Sequence, residues 1–162
     1  MSVKIISAAA IMMASSFAAQ ASQIQFSVEA SIPDNSFYVL GTGWEVTTQR
    51  MAWSEANLSL RPFSKNLKMK NAAGGIKAYL QDDAVLTSST NANPIPLTVK
   101  IFDKTLSTGA TNAVEVLSNT DAASEKTRVM QVSQTAPFSD KTRPEAGEYN
   151  GTITMMFDSV PA

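Results

Sequence analysis

The side chains that carry most protein chemistry are missing from this chain, which has neither cysteine nor histidine. Without a thiolate or an imidazole, no Ser-His or Cys-His nucleophile pair can be built. Zinc sites made of those ligands are excluded on the same ground. What is left is carboxylate. Asp82 and Asp83 are the one pair of acids adjacent in sequence. On a strand they would point to opposite faces and could not act as a dyad; in a turn they are solvated loop residues. A carboxylate pair assembled from distant positions stays open to any sequence, but no spacing marks one here. No loop has the acidic spacing of an EF-hand calcium site. No catalytic, cofactor-binding or metal-binding residue is assigned, and the chain is not read as an enzyme.

Aromatic side chains offer a different chemistry, stacking on sugars. Tyr38, Trp44, Trp53 and Tyr79 are the candidates. Aromatic rings bury a large area each, and a domain with no disulfide needs them in its core. Trp53 and Tyr79 are therefore assigned to the core. Trp44 follows the glycine-bounded turn at 41–43, and its position as an exposed aromatic or a core one stays open.

These residues must be positioned by strands. Across 24–32, Ile24, Phe26, Val28, Ala30 and Ile32 alternate with polar residues until Pro33 stops the run. Successive side chains on a strand point to opposite faces, so these five share one face. The alternation fits either the first strand of a self-contained sandwich or a strand that fills a groove elsewhere. It follows a segment with the form of a secretion signal. A positive start at Lys4, an apolar run over 5–17 and the small-x-small triplet Ala19, Gln20, Ala21 predict removal of residues 1–21. That run is short for a membrane span, and no later run is long and apolar enough to be one.

The rest reads as short strands between turns, the pattern of an all-β sandwich or barrel. Alternation or apolar runs predict strand at 37–40, in pieces near 51–53 and 58–60, and at 67–70, 76–80 and 95–102. Pro96, with no N–H to donate, must lie at a strand's start or on an edge. A turn is expected at 71–75. Residues 114–117 fit a strand or a helical turn equally. A strand is expected over 128–134, with its buried face unresolved because Val129, Met130 and Val132 obey no single period. The last element, 151–157, puts Ile153, Met155 and Phe157 on one face. Lys plus Arg number 13 against 14 Asp plus Glu. Such a balance carries no basic footprint for nucleic acid, and a near-neutral surface is compatible with self-association.

Taken together, the run 24–32, the segment 95–100 leading into Leu106, Ser107 and Thr108, the stretch 128–134, and above all the ending 146–157 resemble the major pilins of CS1/CFA/I-type fimbriae, the class 5 or alpha class of the alternate chaperone–usher pathway. In that ending Gly147, Tyr149 and Gly151 form a Gly-x-Tyr-x-Gly turn into the final strand. The absence of cysteine is also similar to this family. The resemblance implies an incomplete immunoglobulin-like β-sandwich completed by a donor strand from another subunit. It implies a donor extension over 22–33 and a pilin domain over 34–162. The donor face would be Ile24, Phe26, Val28, Ala30 and Ile32. Ile153, Met155 and Phe157 would lie on the acceptor's final strand. The implied partners are identical subunits in a homopolymer, a periplasmic chaperone, an outer-membrane usher and a tip adhesin, with export through the periplasm to a surface fimbrium. The alternatives are a secreted monomeric sandwich that binds carbohydrate or protein near Trp44, and a minor subunit of the same fimbria.

Overall fold

A computed structural model of the chain describes Ser27, residues 36–90 and residues 93–161. The signal segment 1–21 and the five residues Ile24, Phe26, Val28, Ala30 and Ile32 lie outside the described residues. Residues Pro33–Ala162 cluster as one unit. Its strands, in chain order, are β1 (Phe37–Leu40), β2 (Trp53–Ser54), β3 (Ser59–Leu60), β4 (Phe63–Asn71), β5 (Gly74–Leu80) and β6 (Val85–Leu86). They continue with β7 (Ile95–Ile101), β8 (Lys104–Thr105), β9 (Val114–Leu117), β10 (Lys126–Gln134) and β11 (Met155–Pro161). A single helical turn, α1 (Asn119–Ala122), precedes β10. The Ser118 hydroxyl caps it by accepting from the Asp121 N–H at 3.3 Å.

The period-two pattern becomes two sheets. In the larger one the strands lie in the order β1, β4, β10, β7, β6, with β8 paired to the end of β7. In the smaller one the order is β11, β5, β9. Every pairing between these strands is antiparallel. The hairpin between β2 and β3 stands apart from both sheets. The core consists of the inward residues of the two sheets, among them Leu67, Met69, Ile76, Ala78, Val99, Ile101, Met130 and Val132. On β7, Ile95, Leu97, Val99 and Ile101 are buried while Pro96 and Lys100 are exposed. Pro96 sits at the second position of β7, opposite Val85 of the edge strand β6.

Several expectations are sharpened by the packing. The face of β10 resolves once its neighbours are in place. Met130 and Val132 point inward, and Val129 lies on the opposite face, 48% exposed. Residues 114–117 are a strand, because β5 offers them a partner. The turn at 71–75 contracts to Ala72 and Ala73. Asn71 closes β4 and its side-chain carbonyl accepts from the Ala73 N–H at 3.1 Å, while Gly74 and Gly75 already belong to β5.

The final strand starts later and ends later than the 151–157 run suggests. It can pair only where β5 runs beside it, from Met155 opposite Leu80 to Pro161 opposite Gly74. Residues 151–154 carry the alternation without that neighbour. They are anchored at one end by Asn150, which exchanges two backbone hydrogen bonds with Thr87 at 2.8 Å each, and at the other by the Thr154 carbonyl, which accepts from the Gln81 N–H at 2.9 Å. Gly151 passes so close to the Val85 carbonyl oxygen that a Cβ would collide with it.

Candidate functional site

The two sheets are unequal, and the inequality makes the site. Three strands cannot cover the inner face of a five-strand path. Beyond β11 the smaller sheet has no further strand among the described residues. The inner face of the larger sheet opposite that gap forms the floor of a cleft of about 940 Å³. Leu97, Met130 and Val132 supply the floor, and each is at most 9% exposed. One wall is the irregular segment from Trp44 to Trp53, and the other runs from Arg143 to Met155.

The walls carry polar residues such as Gln49 and Arg143, but between them lies an apolar lining that is incompletely covered. Met51, Leu60, Phe63, Leu86, Ile153 and Met155 line the cleft, pack against the core and are each only half-buried. Half-buried large side chains around one open cleft are a concentrated apolar surface of the kind that takes a partner. The same place offers backbone. β11 pairs with β5 on one side and, among the described residues, is the outermost strand of its sheet. An open edge of this kind is a template for an added strand.

Local contacts hold each wall in place. Trp44 lies in a short 3-10 turn (Trp44–Val46) opened by Gly43, whose φ of 97° suits glycine. The Trp44 indole N–H donates to the Asn66 carbonyl of β4 at 2.9 Å. Its ring is half-buried, packs against the core and lines the cleft, so it is a wall element and not a ring presented to solvent. The Gln49 amide donates to the Trp44 carbonyl at 3.0 Å and to the Thr47 hydroxyl at 2.8 Å, which fixes the turn's exit.

The second wall is tied to the β2–β3 hairpin. The Arg143 guanidinium donates to Glu55 at 2.7 Å and lies 5.5 Å from the Trp53 ring centroid. Trp53 in turn packs against Phe138, with centroids 6.2 Å apart. The neighbouring Trp53 indole and then the hydrogen bond from Arg143 hold Glu55 below the usual carboxylate range. At the far end of β11 the buried Asn71 amide donates to the Gly75 carbonyl at 2.7 Å and to the Ser159 hydroxyl at 2.8 Å. That clamp joins the end of β4 to the edge strand.

Of the acceptor residues expected from sequence, Ile153 and Met155 line the cleft. Phe157 is half-buried on the same face of β11 and packs against the core farther along the strand. Sequence reasoning missed the floor and the opposite wall. Leu97 lies in the run 95–102 expected to be strand, but nothing in its spacing tells that the neighbouring sheet stops short of it. Met51 and Leu60 sit in two-residue strands and loops, with too few neighbours to show a period. Asp82 and Asp83 are exposed, and Asp83 accepts from the Thr108 hydroxyl.

The model of the family described as CS1 type fimbrial major subunit matches residues 22–158 of this chain. Among solved structures, the CooA pilin subunit from enterotoxigenic Escherichia coli is similar, with a TM-score of 0.55 and 18% sequence identity. The match covers 76% of this chain and 86% of that one, and at such identity it shows a shared fold. No curated protein matches the chain.

Proposed function

The chain belongs to the CS1 type fimbrial major subunit family, so it is a structural pilin subunit of a fimbria, and on that premise we propose that its cleft is the acceptor for the N-terminal extension of the next subunit. Ile24, Phe26, Val28, Ala30 and Ile32 would turn their shared face into the cleft, and residues 22–33 would add a strand beside β11. The observation that carries this reading is the cleft itself, about 940 Å³ beside an outermost strand, rimmed by half-buried apolar side chains. Ile153 and Met155 are then in contact with the incoming strand, and Phe157 supports it from farther along β11.

Energies favour a durable joint. Burying one large apolar side chain contributes roughly 1.5–3 kcal/mol. Four of them and one alanine supply on the order of 10 kcal/mol gross, from which the ordering of a flexible extension subtracts. Main-chain hydrogen bonds to β11 add about 1 kcal/mol each. Because the donor and acceptor surfaces differ, the contact is heterologous and propagates an open filament.

Export follows from the same reading. Residues 1–21 direct the chain to the periplasm, where a chaperone's strand occupies the cleft first and shields its apolar rim. The usher in the outer membrane exchanges that strand for the next subunit's extension, and a tip adhesin begins the filament.

The test is to place one charge on the donor face. Phe26→Asp or Val28→Asp forces a carboxylate into an apolar cleft. Filaments on the cell surface, counted by electron microscopy, should disappear while the subunit is still recovered bound to its chaperone. Filaments of normal number and length from both variants would refute the donor assignment.

A further inference from the structure

The chain has no thiol, so its oxidisable sulfur is methionine. Beyond residue 21 the methionines are Met51, Met69, Met130, Met155 and Met156, and their placement is uneven. Met51 and Met155 line the cleft from its two walls and are half-buried. Met130 lies in the floor, 2% exposed. Met69 is in the closed core with no exposure at all. Met156, the neighbour of Met155 in sequence, points to the other face of β11 and is 37% exposed. Three of five thioethers therefore meet at the one surface that must receive another strand.

We propose that Met51 and Met155 are sites of oxidative modification that close the cleft to a donor strand, so that a peroxide-class oxidant blocks subunits awaiting assembly and spares those already in a filament. The inference rests on the acceptor reading above. Flexible, polarisable thioethers suit a cleft that must fit more than one strand, and the same side chains are its weak point. In the reaction the sulfur lone pair attacks one peroxide oxygen. With hydrogen peroxide an S–O bond forms and the O–O bond breaks; the second oxygen leaves as hydroxide, takes the proton from the transferred oxygen and departs as water. The sulfur is oxidised by two electrons and the peroxide is reduced by two. The product is a polar, chiral sulfoxide where an apolar rim is needed. A donor strand docked over it would have to strip water from a polar S=O group, which opposes docking. A seated strand, in turn, covers both sulfurs and protects them.

The experiment exposes the processed full-length subunit to limiting hydrogen peroxide, with and without a synthetic peptide of residues 22–33, and reads sulfoxide at each methionine by peptide mass spectrometry. Peptide uptake is then measured on the oxidised and untreated protein. In the free subunit Met51 and Met155 should oxidise with Met156, while Met69 stays reduced. Peptide should slow Met51 and Met155 by about tenfold or more and leave Met156 unchanged. Oxidised subunit should take up peptide at least about tenfold more weakly, and the double variant Met51→Leu, Met155→Leu should keep its uptake after peroxide. Met51 and Met155 as resistant as Met69, or undiminished uptake by the oxidised subunit, would overturn the inference. Failure of the untreated subunit to take up peptide refutes the acceptor reading instead. In that case the comparison of sulfoxide at Met51 and Met155 between intact filaments and free subunits still decides whether assembly protects them.

Discussion

Replacing Gly151 by alanine should damage the cleft from behind. The residue has no need of a left-handed conformation; its constraint is space. A Cβ there would lie well inside contact with the Val85 carbonyl oxygen and 3.2 Å from Leu86 Cδ2. The carbonyl belongs to backbone, so it cannot rotate away as a side chain could. Either β6 moves or the two bonds between Asn150 and Thr87, 2.8 Å each, are strained or lost. Overpacking of this kind costs about 1–3 kcal/mol, and two backbone bonds add about 1 kcal/mol each. A total of about 3–5 kcal/mol is expected. Gly43 is the control: its φ is +97° and a Cβ there would meet nothing within 4 Å. Gly43→Ala should cost only the backbone term, about 1–2 kcal/mol. At about 3–4 °C per kcal/mol for a chain of this size, Gly151→Ala should lower the thermal midpoint by about 10–20 °C and Gly43→Ala by about 5 °C. Both variants are to be measured by circular dichroism in a chain with residues 24–32 repeated behind Ala162. Equal losses would show that the approach of residue 151 to β6 does not constrain the fold.

The repeat of 24–32 behind Ala162 is itself predictive, since a tethered strand filling the cleft should raise the thermal midpoint of the subunit and prevent its oligomerisation; an unchanged midpoint would mean a sandwich already complete. Asn71→Ala removes the donors to the Gly75 carbonyl and Ser159, so urea unfolding should show a loss of about 1–3 kcal/mol, with amide exchange quickening first at the C-terminal end of β11. Glu55 is held below its ordinary value of 4.5. Its contribution is therefore present in full above that value and is lost as pH falls through the lower folded one. The stability gap between the native chain and Glu55→Gln should be largest at neutral pH and should close on acidification, and a gap independent of pH would refute the contact with Trp53 and Arg143. Glu125 is held below 4.5 by the Tyr38 hydroxyl, whose own ionisation is pushed above 10.0 by the same hydrogen bond. Tyr38→Phe should therefore be destabilising between those limits, with the difference shrinking as pH falls below 4.5 or rises through the Tyr38 ionisation.

What could be read from residues alone was local and periodic. The alternation in β7 and β5 predicted both strands, because the side-chain period of a strand needs no neighbour to be seen. The absence of cysteine and histidine removed whole classes of chemistry without any coordinates. The ending around Gly147, Tyr149 and Gly151 carried the resemblance that led to the family. Ile153 and Met155 were placed on one face before their surroundings were known.

Tertiary structure decided everything that depends on a missing neighbour. Val129, Met130 and Val132 look alike in sequence, and only the strands on either side of β10 determine which of them is covered. Residues 151–154 alternate as well as those that follow, yet β5 does not reach them, so the strand begins at Met155. The cleft is the clearest case. A buried leucine at position 97 and a half-buried methionine at position 51 belong to segments far apart in the chain. They line one site because a three-stranded sheet lies over a larger one, and the number of strands in a sheet is set by long-range pairing that no local pattern encodes.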